Sequence, residues 1–375
     1  MKSEQTMIAT SDIKCMKRAL ALARKGIGRT SPNPAVGCII VKDGIVIGEG
    51  WHRKAGTPHA EIHALNMAGD AARGADLFVT LEPCCHTGKT PPCSEALIKA
   101  GIRRVVAGMR DPNPHVNGGG LAALEQAGIE TACGVLEAEC RALNLPFIKH
   151  VTTGLPYVTY KCAMTLDGKI ASVTGESRWI SGDESRKYVH RMRALNDAVM
   201  VGVDTILADN PQLTVRHVKG RNPLRIIVDS SLRTPATVDI LCGALARKTI
   251  IATIEKDKTI HQRYQHNGAT VLVCDAHDGR VDLRDLLKKL GGLGIQTILL
   301  EGGSRLAGDA LNRGLIDECV FFYAPKVIGS DGFSPFAITG ITDMSQSLAF
   351  TTTHVRRIGA DIVVTARPEV SCLPA

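Results

Sequence analysis

Residues 79–93 of the chain, VTLEPCCHTGKTPPC, decide the fold of its first half. The apolar residues leading into this stretch predict a short buried strand over 77–81, and the residues after it predict a helix over 94–100. Three cysteines and a histidine lie within ten residues here, whereas most of the other cysteines fall singly in apolar segments. This cluster therefore indicates a site rather than part of a disulfide framework.

A zinc site is the chemistry that the cluster indicates. Zinc prefers nitrogen and thiolate ligands in a tetrahedron, and a catalytic zinc keeps three protein ligands with water as the fourth. His59, Cys84 and Cys93 supply that number, and Glu61 can reach the water without binding the metal. Glu61 would take a proton from the water and pass it to a departing amine as a general acid and base. The pattern matches the signature of zinc nucleobase deaminases.

One feature departs from that signature, because eight residues separate Cys84 from Cys93 where the generic pattern has two. A structural zinc is the alternative interpretation, with His86 or Cys85 as a fourth ligand that closes the site. Glu61 and the Pro-Cys turn favour catalytic use of the metal.

The rest of the first half alternates helices and strands. The apolar spacing predicts helices over 11–23, 59–69 and 121–126, a hairpin of strands 36–41 and 45–50 and a strand over 104–109. This alternation predicts an α/β sandwich with a mixed sheet that is complete by about Glu139. Pro146, Gly154 and Pro156 then break the pattern, which predicts a linker over 140–156 and a boundary near Val151, with domains 1–150 and 151–375.

The second half is predicted to be a second α/β domain with a sheet of eight or nine strands. Its periodicity predicts a helix over Asp183–Leu195 and strands over 157–164, 198–203, 225–229, 249–253, 270–274, 297–303, 319–329 and 361–367. No G-x-G-x-x-G follows a strand, so the usual dinucleotide fingerprint is absent. Instead, the strand TILLE runs into the glycine-rich turn GGSRLAG at 302–308, where backbone N–H groups could bind a phosphate.

Composition excludes several classes of protein. The 375 residues are 44% hydrophobic and 22% charged, which is typical of a globular chain rather than a disordered one. No apolar run approaches the roughly 18 residues of a membrane span, and residues 1–11 are polar, so a soluble cytoplasmic protein is expected. Aromatic residues are only 4%, which disfavours stacking platforms for nucleic-acid bases, although the net charge of +8 permits an anionic partner.

Several long motifs resemble one known family. The first-half strings SPNPAVGCIIVKDGIVIGEGWH, GTPHAEIHAL, VTLEPCCHTGKTPPC and RDPNPHVNGGG are similar to the deaminase half of bifunctional riboflavin biosynthesis proteins. The second-half strings KCAMTLDGKIA, SRWISG, DTILADNPQLTVR, LEGGSRLAGDALNRG and APKVIG are similar to the reductase half of that family. The resemblance extends from about Asp12 to Arg367.

The resemblance implies fold and reaction together. A cytidine-deaminase-like three-layer domain is expected, followed by a dihydrofolate-reductase-like domain that uses NADPH. The first domain would remove an amino group from a pyrimidine ribosyl-phosphate with zinc, and the second would reduce the ribosyl group of the product to a ribityl chain. Asn33, His52 and Lys89 are then the expected contacts to the deaminase substrate.

The same resemblance assigns the reductase residues. Lys161 and Asp209 are candidates for handling the proton that accompanies hydride transfer. The expected cofactor contacts are Ala163, Trp179, Thr205, Asp209, Ser230, Gly303, Ser304, Arg305, Leu306, Ala307, Gly308 and Asp309. The expected substrate contacts are Ser177, Arg193, Leu213, Arg216 and Glu301, with Arg216 on the substrate phosphate.

Two other functions compete with a bifunctional metabolic enzyme. A zinc deaminase that edits nucleic acid with an appended domain is compatible with the charge, but the wide cysteine spacing, the few aromatic residues and the second-half motifs oppose it. A zinc-stabilised binding protein without turnover is opposed by Glu61. The expected partners are small pyrimidine ribosyl-phosphates and further copies of the chain, as a dimer or tetramer, with no nucleic acid and no membrane.

Overall fold

A computed structural model describes residues 9–86, 91–114, 116 and 118–369 of the protein. The chain divides into two compact units, Met1–Thr153 and Gly154–Ala375, each of which is described by itself. The division lies three residues beyond the boundary expected from the sequence. None of the described helices is both long and apolar enough to cross a membrane.

The first unit is built on a five-stranded sheet. Its strands are β1 (Gly37–Lys42), β2 (Ile45–Trp51), β3 (Asp76–Val79), β4 (Arg104–Ala107) and β5 (Glu130–Cys133), in the order β2-β1-β3-β4-β5. β1 is antiparallel to β2 and β3, while β3, β4 and β5 run parallel. The tight hairpin turn between β1 and β2 needs positive φ at Asp43 (51°) and Gly44 (76°), which a glycine at the second position accommodates.

Helices cover both faces of this sheet, which makes three layers. They are α1 (Thr10–Ala23), α2 (Ala60–Ala68), α3 (Cys93–Ala100), α4 (Gly119–Gln126), α5 (Glu137–Leu143) and α6 (Leu145–Thr153). Alternate residues of β1 enter different cores, since Ile40 packs with α2, α3 and α4 while Ile39 packs with α1 and α6. The three-layer α/β fold expected from the sequence is confirmed.

The linker expected over 140–156 is wrong. Residues up to Thr153 form α5 and α6, and Phe147 and Ile148 are buried in the core of the first unit. Pro146 is the second residue of α6, where a backbone N–H has no partner within the helix, so a proline there does not break it. The first unit is therefore not complete by Glu139 but continues for two more helices.

The second unit contains a nine-stranded sheet, which confirms the expected number. Its strands are β6 (Tyr157–Thr165), β7 (Ala198–Gly202), β8 (Leu224–Val228), β9 (Thr249–Thr253), β10 (Thr270–Val273), β13 (Thr297–Glu301), β14 (Glu318–Ala324), β15 (Phe350–Ile358) and β16 (Asp361–Pro368). The order is β10-β9-β8-β7-β13-β6-β14-β16-β15, parallel from β10 to β14 and antiparallel in the last two pairs. A separate two-stranded ribbon consists of β11 (Ala276–His277) and β12 (Arg280–Val281).

Helices again cover both faces of the sheet. They are α7 (Asp183–Leu195), α8 (Val203–Asp209), α9 (Gly243–Ala246), α10 (Lys258–Gln265), α11 (Leu283–Gly292) and α12 (Ser304–Asn312). α11 and α12 bury their apolar residues in one core, and α7 and α10 bury theirs in the other. Because β6, β7 and β13 run parallel, their carboxyl ends meet at one edge, where α/β proteins bind ligands.

Candidate active sites

Three predicted metal ligands converge in the first unit. His59 is the extended residue that precedes α2, Cys84 lies in the loop after β3, and Cys93 is the first residue of α3. His59 Nδ1 lies 3.3 Å from Cys93 Sγ and 3.6 Å from Cys84 Sγ, and one ligand atom from each residue lies within 4.8 Å of the others. Among the described residues, neither Cys85 nor His86 joins this group.

The chemistry of these donors fits zinc. The Cys93 backbone N–H donates to Cys84 Sγ at 3.3 Å, and the hydrogen bonds from the Cys93 thiol and His59 lower the pKa of Cys84 to about 4. The pKa of Cys93 is raised because its thiol bonds the Cys84 sulfur and lies buried beside Glu61. Two adjacent thiolates repel each other, and a dication removes that repulsion. Two sulfurs and one imidazole nitrogen are the ligands of a zinc site with an open fourth position.

Glu61 lies in the first turn of α2, buried beside these ligands. Burial and the nearby Cys84 raise the pKa of Glu61 to about 7. α2 can approach β2 this closely because residue 50 is glycine, since a Cβ there would lie 2.1 Å from the Ala60 carbonyl oxygen. A carboxyl with a pKa near neutrality can both accept and return a proton.

Asn33 and His52 are neighbours at the same site. Asn33 Nδ2 lies 3.1 Å from His52 Nε2, and the His52 ring stands edge-on to the His59 ring with 5.3 Å between centroids. His52 Nδ1 bonds the Pro58 carbonyl oxygen at 3.2 Å, so both of its ring nitrogens have partners within the protein. Lys89, the third expected substrate contact, lies outside the described residues.

Sequence reasoning missed Glu82, a buried residue two positions before Cys84. Its carboxylate accepts four backbone N–H groups at 3.0–3.1 Å, from Asp111, Gly118, Gly120 and Leu121. Two of these belong to the first turn of α4, so Glu82 caps that helix and ties its preceding loop to the zinc loop. The available signal was an acidic residue directly before the Pro-Cys turn.

A cleft of about 980 Å³ opens at the carboxyl ends of β6, β7 and β13 in the second unit. Twelve of the residues expected at the reductase site line it: Lys161, Ala163, Ser177, Trp179, Arg193, Thr205, Asp209, Leu213, Arg216, Glu301, Gly303 and Ser304. The cleft lining does not include Ser230, Arg305, Leu306, Ala307, Gly308 or Asp309.

The residues outside the lining have structural surroundings. The hydroxyl of Ser230 accepts the Val281 N–H at 3.0 Å. The glycine turn itself is short, consisting of Gly302 and Gly303 with φ near 80°, and residues 305–309 are already inside α12, with Ala307 and Gly308 buried. Of residues 302–309, only the Gly302–Gly303 turn and Ser304, the first residue of α12, therefore line the cleft.

A buried ion pair lines the cleft. Arg193 Nε and Nη2 donate to the two carboxylate oxygens of Glu301 at 2.6 and 2.8 Å, and Arg193 Nη1 donates to the Thr214 carbonyl at 3.1 Å. Burial favours neutral Glu301, but Arg193 outweighs it and lowers the pKa of that carboxyl. Lys161 is paired in register with Glu301 on the neighbouring strand, and burial lowers the pKa of its ammonium.

The rim of the cleft carries exposed charges and an aromatic ring. Asp209 accepts a hydrogen bond from Arg178 Nη2 at 3.2 Å, and the Arg186 guanidinium lies 4.5 Å from the centre of the exposed Trp179 ring. Arg216 is exposed, and its backbone N–H donates to Nδ1 of the buried His190 at 3.2 Å. Arg178 and His190 line the cleft but were missed, because nothing in the sequence distinguishes them from surface residues.

Two family models match the chain in the order of its units. Residues 9–109 match the cytidine and deoxycytidylate deaminase zinc-binding region, and residues 156–364 match the RibD C-terminal domain. Fold, ligand cluster and cleft thus define a zinc-dependent deaminase joined to a reductase in one chain.

Relatives along the whole chain identify the family. The riboflavin biosynthesis protein RibD of Actinobacillus pleuropneumoniae is 45% identical over 94% of this chain and 94% of its own length. RibD of Aquifex aeolicus is 44% identical over 96% of this chain and 99% of its own. A solved structure of Acinetobacter baumannii RibD covers 96% of this chain and 99% of its own, with 39% identity and a TM-score of 0.88. The chain belongs to the RibD family of riboflavin biosynthesis proteins, and it is a bifunctional deaminase and reductase with zinc and NADPH as cofactors.

Proposed function

We propose that residues 1–150 hydrolytically deaminate 2,5-diamino-6-(5-phosphoribosylamino)pyrimidin-4(3H)-one and that residues 151–375 reduce the ribosyl group of the resulting 5-amino-6-(5-phosphoribosylamino)uracil with NADPH. A solved relative from Thermotoga maritima, 39% identical to this chain, is described as the deaminase and reductase of these compounds. The observation that carries the proposal is the convergence of His59, Cys84 and Cys93 beside the buried Glu61.

In the deaminase half, His59, Cys84 and Cys93 hold the metal and Glu61 moves the proton. Zinc, when bound, supplies the Lewis acidity that makes water a nucleophile at neutral pH. Glu61 accepts a proton from that water at its carboxylate and returns it to the departing amine, so that ammonia leaves. Burial, the main cause of the raised pKa of Glu61, helps this carboxyl to hold a proton between the two steps. Asn33, His52 and Lys89 orient the pyrimidine and its ribosyl phosphate.

In the reductase half, the cleft holds cofactor and sugar phosphate side by side. Converting ribosyl to ribityl adds a hydride, which NADPH supplies, to the anomeric carbon and a proton to the ring oxygen that is released. Lys161, whose pKa is lowered by burial beside Glu301, is placed to give up that proton, and Asp209 at the rim is the second candidate. The Arg193–Glu301 pair fixes the wall against which the sugar lies.

The cleft residues divide between the two ligands. The cofactor side consists of Ala163, Trp179, Thr205, Asp209 and the Gly302–Gly303 turn. The other expected cofactor residues, Ser230 and 305–309, lie outside the cleft lining and would contact the cofactor only where it extends beyond the lining. Ser177, Arg193, Leu213, Arg216 and Glu301 form the substrate side, with the exposed Arg216 guanidinium on the phosphate.

We also infer that the protein forms a dimer or tetramer in the cytoplasm. β15 is an edge strand of nine residues with mostly exposed side chains, and such edges pair readily with another chain. All eleven cysteines of the described residues are free, as expected in a reducing compartment that supplies NADPH. Light scattering of the purified protein tests the assembly, and cell fractionation tests the location.

Substitution of single cysteines tests the metal assignment. Cys93→Ser should lower zinc content and ammonia release, because a ligand thiolate is lost, while NADPH oxidation on the deaminated substrate continues. Cys85→Ser is the matched control, since Cys85 is not in the ligand cluster. Zinc content measured by atomic absorption shows which cysteine binds the metal. Loss of the metal from Cys85→Ser, but not from Cys93→Ser, would overturn the assignment of Cys93 as a ligand.

A further inference from the structure

Two side chains of α7 hold the chain segment that carries Arg216. His190 precedes Arg193 by one helical turn, so both side chains lie on the same face of α7, and both line the cleft. Arg193 Nη1 donates to the Thr214 carbonyl oxygen at 3.1 Å, and His190 Nδ1 accepts the backbone N–H of Arg216 at 3.2 Å. The imidazole of His190 is thereby fixed beside the backbone of Arg216.

The bond to Arg216 determines which ring nitrogen of His190 carries the hydrogen. A backbone N–H only donates, so Nδ1 presents its lone pair and is not protonated. Burial lowers the pKa of His190 to about 4, helped by the nearby Arg193, His217 and Arg216 and opposed by Glu301, so the ring is neutral at pH 7. A neutral ring without a hydrogen at Nδ1 carries it at Nε2.

This Nε2–H group of His190 is available to a ligand. The residue is only 6% exposed, yet it lines the cleft. The His217 ring packs edge-on against it, with 4.6 Å between ring centroids. Within residues 118–369, which the structure describes without a gap, no group accepts a hydrogen bond from Nε2. A nearly buried donor left unbonded is costly, so a ligand that offers an acceptor here is favoured.

The charges around His190 favour an anionic acceptor. Glu301 bonds the Arg193 guanidinium through both carboxylate oxygens and balances its charge. The Arg216 guanidinium forms no ion pair with any described carboxylate, and its Nη1 donates to the Thr214 hydroxyl at 3.2 Å. A positive charge and a neutral N–H donor therefore lie on neighbouring groups. Phosphate, with several acceptor oxygens, suits both.

We propose that His190 is a further substrate-binding residue of the reductase half, whose Nε2–H donates a hydrogen bond to the phosphate of the sugar-phosphate substrate beside Arg216, an assignment that rests on the proposed reductase function. The bond at Nδ1 orients the ring, and the bond at Nε2 binds the ligand. His190 thus contributes a donor without adding a second unbalanced charge.

The donor can be observed without turnover. A long-range ¹H–¹⁵N spectrum of the zinc-loaded protein, labelled at histidine, distinguishes Nε2–H from Nδ1–H, and the His190 signals are those absent from His190→Gln. We expect the Nε2–H tautomer and a shift of its signals when ribose 5-phosphate is added but not when ribose is added. An Nδ1–H tautomer, or signals that ribose 5-phosphate leaves unchanged, would overturn the proposal whether or not the protein is a reductase.

Two replacements of His190 test the bond through catalysis. His190→Leu removes both hydrogen bonds, so the KM for the sugar phosphate should rise about 10- to 100-fold, while an unchanged KM for NADPH shows that the second unit is folded. His190→Gln offers an amide oxygen to the Arg216 N–H and an NH₂ group to the phosphate, so it should restore most of the affinity. Equal losses in the two variants, or a rise confined to the KM for NADPH, would contradict the proposal.

A double substitution separates direct binding from an action through Arg216. In an Arg216→Ala background, His190→Leu should raise the KM for the sugar phosphate by a further factor of about 10, because its own bond to the phosphate is lost. No further rise would show that His190 only holds Arg216, and the proposal would fail.

His261→Leu is the matched control. His261 is a buried histidine of the same unit, bonded through Nε2 to the Glu255 carbonyl oxygen at 3.0 Å, and it does not line the cleft. Its KM for the sugar phosphate should equal that of the wild type, and a rise like that of His190→Leu would mean that loss of any buried histidine weakens binding. A wild-type protein that does not oxidise NADPH on the deaminated compound would instead refute the proposed function, and the spectra with ribose 5-phosphate would still decide the role of His190.

Discussion

Single residues carry the chemistry of both sites, and their surroundings determine what each can do. Glu61 is useful because it is buried: in water its carboxyl would be ionised at neutral pH, but beside the ligand cluster its pKa is near 7. Glu301 is equally buried, yet Arg193 bonds both of its oxygens and keeps it ionised. In the proposed function these similar carboxyl groups therefore differ in role, since Glu61 exchanges a proton and Glu301 holds a fixed charge.

Glu61→Gln tests the proton transfer. The amide keeps the volume of the side chain and cannot take a proton, so zinc should remain bound while ammonia release falls about 10²- to 10⁴-fold. Ammonia is measured with a coupled assay, and zinc is quantified in the same preparation. Deamination at nearly the wild-type rate would show that another group moves the proton.

Arg216→Ala tests the division of the cleft. A charge-assisted contact to phosphate contributes about 1.5–3 kcal/mol, so the KM for the sugar phosphate should rise roughly 10- to 100-fold while the KM for NADPH stays unchanged. Arg247→Ala is the matched control, because Arg247 is exposed at the end of α9 and does not line the cleft. A rise confined to the KM for NADPH would place the Arg216 guanidinium on the cofactor.

The convergence of His59, Cys84 and Cys93 could be predicted from the sequence, because their spacing follows a known zinc-binding pattern. The partners of those residues could not. Nothing in the sequence shows that both nitrogens of His52 are engaged or that Arg193 pairs with Glu301, since these bonds join residues distant in the chain.

The ends of helices and strands bring the candidate metal ligands together. His59 and Cys93 each stand at the start of a helix, and Cys84 follows a strand end, so the zinc site is built from element termini. The sequence predicted most elements because their apolar spacing is regular. It missed β5 and β15, whose residues are largely polar or exposed. It took α6 for a linker because Pro146 lies in the first turn of that short helix and Gly154 follows its last residue.

Gly120→Ala tests the attachment of α4 to the zinc loop. A Cβ at residue 120 would lie 1.8 Å from the Pro83 carbonyl oxygen, so the backbone next to Cys84 must shift. Such overpacking costs about 1–3 kcal/mol, and zinc affinity and ammonia release should both fall. Competition with a chromogenic chelator measures the affinity.

Gly119→Ala is the control for that change, because its Cβ would meet only the Cys85 side chain, at 2.8 Å, and a side chain can turn away. Its zinc affinity should remain close to that of the wild type. If both alanine variants bind zinc like the wild-type protein, the close approach of α4 does not position the ligand.

At the scale of the whole molecule, the chain consists of two units with separate hydrophobic cores. The first unit contains the ligand cluster and the second contains the cleft, and the described residues of each site all belong to a single unit. A chemical treatment that affects one site alone should therefore abolish one activity and leave the other intact. The product of the first site is the substrate of the second, so the two reactions form a sequence.

The most direct test follows ammonia release and NADPH oxidation together, starting from the diaminopyrimidine ribosyl-phosphate, with and without removal of zinc by a chelator. Zinc removal should stop both signals from this substrate, and adding the deaminated pyrimidine should restore NADPH oxidation to the zinc-free protein. Oxidation of NADPH on the starting substrate without ammonia release would show that the reduction does not depend on the deamination. A zinc-free protein that cannot reduce the deaminated compound would show that the two sites are not independent.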